Sequence, residues 1–333
     1  MKPPFDITPL SIRLLSDIER LLGRHEGLHR PRPAPLLRKA LRVKSVQGSV
    51  AIEGNTLTEE QITAILDGKR VVGPRREIVE VQNALAAYDR LNEWHPARRE
   101  DLLKAHGVLM RGLLDDAGHW RRGGVGVMQG NQVVHVAPPA NRVAFLVQEV
   151  LDFYDSDTET HPAIKAAVLH YELEFIHPFT DGNGRIGRLW HTLMLSHYHP
   201  LFVHVPIESV IRERQAEYYS VLGKCNQAGR STAFVDFALA ATRDALELTL
   251  SQIALEPVTG THRLETAREH FGNEPFSRKD YLALFPKLST ATASRDLKQA
   301  VDERHLKKTG DKSQARYVFK KRSADGTSVE IGR

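Results

Sequence analysis

Apolar residues recur every three or four positions along most of the chain, which is the pattern of amphipathic helices. Residues 10–22 and 36–52 show it first, and Gly54 ends the second stretch, as glycine commonly does after a helix. Thr58, followed three residues later by Gln61, forms a capping box that opens another helix. The same periodicity predicts helices over 75–93, 98–114, 140–155, 162–175, 185–196, 208–223 and 231–255. We therefore expect a mainly α-helical fold.

One stretch breaks the helical pattern and predicts a β-hairpin. Within 125–136, valines alternate with other residues on both sides of Gly130-Asn131, a dipeptide typical of tight turns. Pro138 and Pro139 close the stretch. Because two strands alone are marginally stable in water, this hairpin must pack on a helix or receive a partner strand.

Length and composition exclude several classes of protein. The chain has 333 residues, of which 41% are hydrophobic and 26% charged, and it is too hydrophobic to be disordered. It lacks a run of about 18 apolar residues and an apolar leader, so we expect neither a membrane nor export. The single cysteine, Cys225, excludes an intrachain disulfide and zinc sites built on several cysteines. These features favour a cytoplasmic protein.

Charge is distributed unevenly along the chain. Residues 261–333 hold 16 Lys and Arg against 10 Asp and Glu, a net +6, which leaves −1 for the other 260 residues of a chain with net charge +5. A basic segment of this kind either binds an acidic partner such as nucleic acid or is a solvated basic surface. Pro257 to Gly260 is typical of a linker. We expect three regions, at 1–96, 97–256 and 261–333.

The segment 177–188, HPFTDGNGRIGR, concentrates chemistry between two predicted helices. Gly182-Asn183-Gly184 stands where the second helix begins, and the free N–H groups and positive end of a helix bind anions. Glycine allows a phosphate to approach the backbone closely. The turn therefore predicts a phosphate site.

Four side chains beside this turn suit phosphate chemistry. Asp181 is a hard oxygen ligand, and Mg²⁺ usually takes one or two carboxylates together with phosphate oxygens. Arg185 and Arg188 lie one helical turn apart and can bind further phosphate charge. His177 precedes the turn and is the natural general base.

Other motifs are weaker. Gly182-x-Gly184-x-x-Gly187 matches a dinucleotide fingerprint, but a helix and not a strand precedes it. Asp181-x-Asn183 resembles a calcium loop, but Arg185 occupies a ligand position. Four histidines lack the spacing of a zinc protease and are predicted to be packed or exposed: His191, His197, His199 and His204.

The segment 177–188 resembles the signature of the Fic (Fic/Doc) family, His-x-Phe-x-Asp/Glu-Gly-Asn-Gly-Arg-x-x-Arg, at every fixed position. Upstream, Ser49 to Asn55 (SVAIEGN) is similar to the family's inhibitory motif, Ser/Thr-x-x-x-Glu-Gly/Asn, within a helix at about 36–54. The predicted hairpin resembles the family's flap. Together the similarities span roughly residues 35–250 and imply a helical Fic core that carries a flap.

The resemblance implies transfer of AMP from ATP to a Ser, Thr or Tyr hydroxyl of a protein, including the chain itself. His177 would deprotonate the target, and Asp181 would hold Mg²⁺ on the phosphates. Arg185 would bind the β-phosphate and Arg188 the γ-phosphate. The residues that cradle the phosphates would be Gly182, Asn183 and Gly184.

Two further sets of residues follow from the resemblance. The flap would hold the target as an added strand, through Val133, Val134, His135 and Val136. Tyr218 and Tyr219 with Asn226 resemble the segment that lines the adenine and ribose pocket, although aromatic residues at helical spacing are also typical of core packing.

Glu53 is the candidate inhibitory residue. A carboxylate beside Arg188 would pair with it and deny it to the γ-phosphate. Ser49 lies one turn earlier on the same face and could hold Glu53 in place. The alternative is an ordinary glutamate at the end of a helix.

The segment 261–333 resembles a winged helix-turn-helix. Its predicted elements are a helix at 261–271, a helix at 278–285 capped by Ser277, a third helix capped by Ser289 or Thr290, and strands at 306–310 and 314–319. Ser294, Arg295 and Lys298 would face DNA, whereas a protein-binding winged helix is the alternative.

Alternative functions remain beside adenylyl transfer. The same site could remove AMP or use another nucleotide donor. The chain could instead be a DNA-binding regulator with a secondary Fic site. A homodimer is a further expectation, and the target protein cannot be read from the sequence.

Overall fold

A computed structural model describes residues 2–27, 33–129, 132–255, 259–286, 288–311 and 314–320. The chain divides into two compact units. The larger comprises Met1–His25 and Arg32–Leu255, and the smaller comprises Glu26–Pro31 and Glu256–Arg333. Each unit has its own hydrophobic core.

The described part of the larger unit is built of helices and one hairpin, so the prediction of a mainly helical fold is confirmed. Its elements are α1 (Pro9–Gly27), α2 (Pro35–Ile52), α3 (Glu59–Leu66), α4 (Arg75–Asp89), α5 (Arg99–Leu109), β1 (Gly126–Gln129), β2 (Gln132–Val136), α6 (Ala140–Ser156), α7 (Pro162–Ile176), α8 (Asn183–Tyr198), α9 (Ile207–Glu213), α10 (Gln215–Ala228) and α11 (Thr232–Leu255). Within the described residues, no helix is both long and apolar enough to cross a membrane.

Helices α7 and α8 lie at the centre of the larger unit. Helix α7 is apolar on nearly every side, and a helix of this kind is stable only when it is surrounded by protein. Four consecutive residues of α7 are buried: Ala166, Ala167, Val168 and Leu169. Helix α8 packs along α7 and buries Ile186, Leu189 and Leu193. Because both helices belong to the core, the loop between them has a fixed position.

Helix α2 is also part of this core. Its Val46 and Val50 are buried, and it packs closely against α9. At Gly48 an added Cβ would lie 2.6 Å from backbone atoms of Glu208 and Ser209. The two backbones therefore meet at a distance that only glycine permits, and α2 is fixed against α9.

Strands β1 and β2 confirm the predicted hairpin. They are antiparallel, and the N–H of Ala137 donates to the carbonyl of Val125 at 3.2 Å, which closes the base of the hairpin. Gly130 and Asn131, the predicted turn, lie outside the described residues.

In its described residues, the smaller unit has three helices and a second antiparallel pair of strands. These are α12 (Gly260–Phe271), α13 (Arg278–Leu284), α14 (Thr290–Asp302), β3 (Leu306–Thr309) and β4 (Arg316–Phe319). Ser277 and Ser289 cap α13 and α14, as the sequence predicts. The buried guanidinium of Arg263 donates to Asp296 at 2.7 and 2.9 Å, which connects α12 to α14.

Two sequence predictions need correction. The helix expected over 208–223 is two helices, because Arg214 leaves helical geometry with φ −107° and ψ 28° and donates to Glu217 at 2.9 Å. The expected linker ends earlier than Gly260, because Thr259 caps α12 and Gly260 is its first residue. The remainder of that linker, residues 257–258, lies outside the described residues.

Substitution of Gly48 tests the contact between α2 and α9. The methyl group of Gly48→Ala has no space, so we expect the free energy of unfolding to fall by about 1–3 kcal/mol in urea denaturation. Gly23→Ala on α1 is the matched control, because a Cβ there meets nothing within 4 Å and a helical alanine should add up to about 1 kcal/mol. Similar effects of both substitutions would show that α2 and α9 are not in tight contact.

Candidate active site

The loop between α7 and α8 reverses the chain through two left-handed residues. His177 ends α7 with φ 51° and ψ 61°, and Gly182 precedes α8 with φ 83°. A Cβ at Gly182 would also lie 2.6 Å from Sδ of Met110. The first N–H groups of a helix have no partner within it, so this turn at the N-terminus of α8 can bind an anion.

Asn183 shapes this loop with its side chain. The N–H of Phe179 donates to Oδ1 of Asn183 at 2.9 Å, and Nδ2 of Asn183 donates to the carbonyl of Phe179 at 2.9 Å. Both polar ends of the amide are thereby used within the loop. If Asn183 contacts phosphate as expected, its backbone N–H is the group that does so.

His106 of α5 packs against this loop, and sequence reasoning missed it. Its ring stacks on Phe179 with a centroid distance of 3.6 Å. The N–H of Gly118 donates to Nδ1 at 2.9 Å, so Nε2 carries the proton and donates to the carbonyl of Asp181 at 2.9 Å. Burial lowers the pKa of His106 to about 4, which keeps this ring neutral.

His177 has the tautomer that a general base needs. Its Nδ1 lies 3.3 Å from the carbonyl oxygen of Glu174, and a carbonyl only accepts hydrogen bonds. Nδ1 therefore carries the ring proton, and the lone pair is on Nε2.

Arg188 is buried and pairs with Glu53, as the sequence predicts. Its Nη2 donates to Oε1 of Glu53 at 2.6 Å and to the carbonyl of Ser49 at 3.0 Å. The Glu53 carboxylate raises the pKa of Arg188 against the opposing effect of burial. Ser49 also contacts Arg188, through Oγ at 3.4 Å from Nε. The expectation that Ser49 holds Glu53 is therefore replaced by one in which Ser49 orients Arg188.

Gly184 leaves room for this ion pair. A Cβ at Gly184 would lie 2.5 Å from Oε1 of Glu53 and 2.8 Å from Nη1 of Arg188. Any side chain at this position would therefore push the two charged groups apart.

A second acid, Glu174, lies beside Arg188 and was not predicted. The hydroxyl of Tyr218 donates to its Oε1 at 3.1 Å, and Nε2 of His170 lies 3.9 Å away. Burial raises the pKa of Glu174 to about 7, although the charge of Arg188 opposes the shift. Glu53 is thus the charged partner of Arg188, and Glu174 is a nearby acid whose pKa is raised by burial.

The three residues expected at the nucleotide base are in different environments. Tyr218 is 1% exposed and packs in the core, as the alternative interpretation predicts. Tyr219 is 41% exposed, and its hydroxyl lies 3.5 Å from the carbonyl of Ile52. Asn226 accepts a hydrogen bond from Tyr171 at 3.0 Å. Tyr219 is therefore the most accessible of the three.

Arg185 is held by acids on both sides. Its Nη2 donates to Oδ1 of Asp181 at 3.0 Å, and its Nη1 bonds to Glu80 of α4, which sequence reasoning missed. Asn55, next to the inhibitory motif glycine, donates to Glu80 at 2.8 Å. Within the described structure Nε of Arg185 is buried without a hydrogen-bond partner. Arg76 lies 3.7 Å from Oδ2 of Asp181.

The flap is connected to this site through Arg121, a further residue that sequence reasoning missed. Nε of Arg121 donates to the carbonyl of His177 at 2.7 Å, and Nη2 donates to the carbonyl of Pro138, just after β2, at 2.5 Å. Backbone pairing aligns Val133 with Met128 and Val136 with Gly126, and Val136 is exposed. Arg121 lies five positions before β1, and nothing in the neighbouring sequence indicates that it connects the flap to His177.

The weaker motifs do not form sites. Gly182 to Gly187 follows helix α7, so the dinucleotide interpretation is rejected. His191 is buried with its ring 5.2 Å from that of His170. Among the described residues, no three His, Cys, Asp or Glu side chains are grouped as metal ligands.

The fold and this site define a helical class of protein in which an upstream acid, Glu53, pairs with a buried arginine of a core helix. A family model, "Fic/DOC family", matches residues 96–195. A Fic family protein from Desulfovibrio desulfuricans G20 is 38% identical over 98% of this chain and all of that chain, with a TM-score of 0.71. The chain belongs to the Fic family.

Other relatives are more distant. Fic-1 from C. elegans is 26% identical over 73% of this chain and 75% of that chain, with a TM-score of 0.56. "Protein adenylyltransferase Fic" from Drosophila willistoni is 29% identical over 263 residues, which cover 73% of this chain and 49% of the relative. The chain spans about half the length of the curated relatives it matches.

The neutral state of His106 makes folding sensitive to acid. Its pKa is about 4 in the folded chain against 6.5, so its contribution to stability is complete above pH 6.5 and is lost as the pH falls toward 4. His106→Gln should flatten the decline in the free energy of unfolding over this range, by up to roughly 1.4 kcal/mol per pH unit. The exposed His119→Gln is the control and should leave the decline unchanged. Parallel curves for wild type and His106→Gln would contradict this assignment.

Proposed function

We propose that the chain is a protein adenylyltransferase that uses ATP and Mg²⁺ and is inhibited by its own Glu53. The observation that carries this proposal is the ion pair of 2.6 Å between Glu53 and the buried Arg188, at the anion-binding turn that His177 precedes. The printed name of the Drosophila relatives, protein adenylyltransferase, supports it.

The reaction needs a general base and a triphosphate that is held in a fixed position. Nε2 of His177 takes the proton of the target hydroxyl as its oxygen attacks the α-phosphorus of ATP. A bond forms between that oxygen and the phosphorus, the bond to the bridging α–β oxygen breaks, and pyrophosphate leaves. Catalysis then consists of positioning and stabilisation of charge.

Phosphate contacts come from the N-terminal turn of α8. Backbone N–H groups of Asn183 and Gly184 cradle the phosphates, that of Gly182 joins them when Oδ1 of Asp181 releases it, and Arg185 takes the β-phosphate. Arg188 takes the γ-phosphate once Glu53 withdraws.

The residues present fit Mg²⁺. The Asp181 carboxylate is 44% exposed and accepts from Gly182 at 2.6 Å through Oδ1, so Oδ2 is the atom that would hold the ion. One carboxylate with phosphate oxygens and water is the usual Mg²⁺ environment in proteins. When bound, the ion neutralises phosphate charge.

The remaining site residues bind the two substrates. An extended target segment pairs with the flap along Val133, Val134, His135 and Val136, where main-chain hydrogen bonds give affinity. Tyr219 and Asn226 lie along the nucleotide-base side, and Tyr218 supports them from the core. A cytoplasmic location is part of the proposal.

Removal of AMP from a modified protein is the second candidate reaction at this site. The Glu53 side chain is 30% exposed, which allows its carboxylate to orient a water molecule. Transfer assays with labelled ATP, GTP and UTP, alongside release of AMP from a labelled protein, distinguish the donors and the two directions.

Relief of inhibition must depend on Arg188. Glu53→Gly removes one charge-assisted pair, worth roughly 1.5–3 kcal/mol, so labelling of the chain by α-labelled ATP should rise about 10–150-fold. Arg188→Ala should be inactive with or without Glu53. Glu59→Gln, an exposed acid at the start of α3, is the control and should not activate. Unchanged or lower labelling by Glu53→Gly would assign Glu53 to structure or to hydrolysis.

We also propose that residues 261–333 form a winged-helix domain that binds DNA. The exposed side of α14 carries Arg295 and Lys298, and Arg278 of α13 donates to Ser294 on the same helix at 2.9 Å. Three cations therefore surround one exposed helix face, and cations of this kind bind phosphates in DNA complexes.

Salt dependence tests this second proposal. The double substitution Arg295→Gln with Lys298→Gln should weaken duplex binding in a gel shift and lower the magnitude of the salt slope by about 2. The control is Arg13→Gln with Arg24→Gln on α1, which removes the same charge. It should change neither the duplex binding nor the salt slope. Absent or salt-insensitive DNA binding by the intact chain would favour a protein partner for this domain.

A further inference from the structure

Arg121 is a buried cation whose side-chain hydrogen bonds, within the described part of the chain, go to backbone carbonyls. It is 2% exposed, and it donates to four carbonyl oxygens, those of His177 at 2.7 Å, Gly123 at 2.7 Å, Pro138 at 2.5 Å and Ile176 at 3.3 Å. Among the described residues, no carboxylate forms an ion pair with it. A buried charge is costly unless its hydrogen bonds are satisfied, so these four carbonyls hold Arg121 in one orientation.

The four carbonyls belong to two parts of the molecule. Gly123 precedes β1 and Pro138 follows β2, so they flank the hairpin base that Ala137 and Val125 close. Ile176 and His177 end α7, where helix carbonyls lack partners within the helix. One side chain thus connects both ends of the flap to the backbone of the proposed base.

The conformation of His177 depends on such support. A residue other than glycine with φ 51° is strained by about 1–2 kcal/mol, and it persists where its surroundings define it fully. Arg121 fixes the carbonyl of His177 from one side, while the carbonyl of Glu174 fixes Nδ1 from the other. Together they determine where Nε2 points.

We propose that Arg121 is a positioning residue that sets the distance between a protein segment bound along the flap and Nε2 of His177. This inference rests on the proposed function. It distinguishes the two substrates, because in the described structure the side-chain hydrogen bonds of Arg121 go to Gly123, Pro138, Ile176 and His177, none of which is proposed to contact ATP. Loss of Arg121 should therefore slow transfer to a protein hydroxyl and leave ATP binding unchanged.

The experiment uses the full chain with Glu53→Gly as the parent and α-labelled ATP as the probe. The rate of self-labelling at saturating ATP and the ATP concentration for half-maximal rate are measured for Arg121→Lys and Arg121→Met. A misplacement near 1 Å costs about 10²-fold, so Arg121→Met should lower the saturating rate 10–100-fold with less than a twofold change in the half-maximal concentration. Arg121→Lys keeps the charge but has fewer donors in fixed positions. Its saturating rate should therefore lie between those of the parent and Arg121→Met.

Arg122→Met, the exposed neighbour, is the matched control and should match the parent. Calorimetry with ATP shows that each variant is folded, and if Arg121→Met does not fold, Arg121→Lys decides. The inference would be overturned if Arg121→Met and Arg121→Lys both label themselves at the parental rate. It would also be overturned if the ATP concentration for half-maximal rate rises as much as the saturating rate falls. Absence of labelling by the parent itself would instead contradict the proposed function.

Discussion

The structure depends on the charge of Arg188. Its guanidinium is 1% exposed, the burial of such a charge is costly unless the charge is paired or fully hydrogen-bonded, and Glu53 at the end of α2 pairs with it. Helix α2 cannot move far, because Gly48 brings its backbone against that of Glu208 and Ser209. In the proposed function, the withdrawal of Glu53 is therefore a rotation of one side chain at a helix end, next to Gly54, with α2 in place.

Both arginines of the turn are neutralised before a ligand arrives. Glu53 pairs with Arg188, and Glu80 pairs with Arg185. Asn55 contacts Glu80 and lies two residues after Glu53. The turn at residues 53–55 therefore contacts both the Glu53–Arg188 pair and the Glu80–Arg185 pair. Under the proposed function, a triphosphate must replace the carboxylates that already pair with these arginines. The affinity that the triphosphate gains is then the difference between two charge-assisted contacts.

Sequence reasoning found what local pattern encodes. Helical periodicity located most helices, alternation located the hairpin, and the resemblance of two segments to Fic family motifs indicated the contact between Glu53 and Arg188. It missed His106, Arg121, Glu80 and Glu174, because each reaches the site through tertiary packing from a residue type with no local motif. Ser49 was assigned to the wrong partner, since helical spacing shows which residues share a face and not which neighbour that face meets.

Affinity for ATP relative to ADP tests the central claim, that Glu53 and the γ-phosphate compete for Arg188. The two nucleotides differ by the γ-phosphate alone. Calorimetry with Mg²⁺ should give the wild type nearly equal Kd values for ATP and ADP, whereas Glu53→Gly should bind ATP at least about 10-fold more tightly than ADP. The same ratio in both proteins would contradict the account.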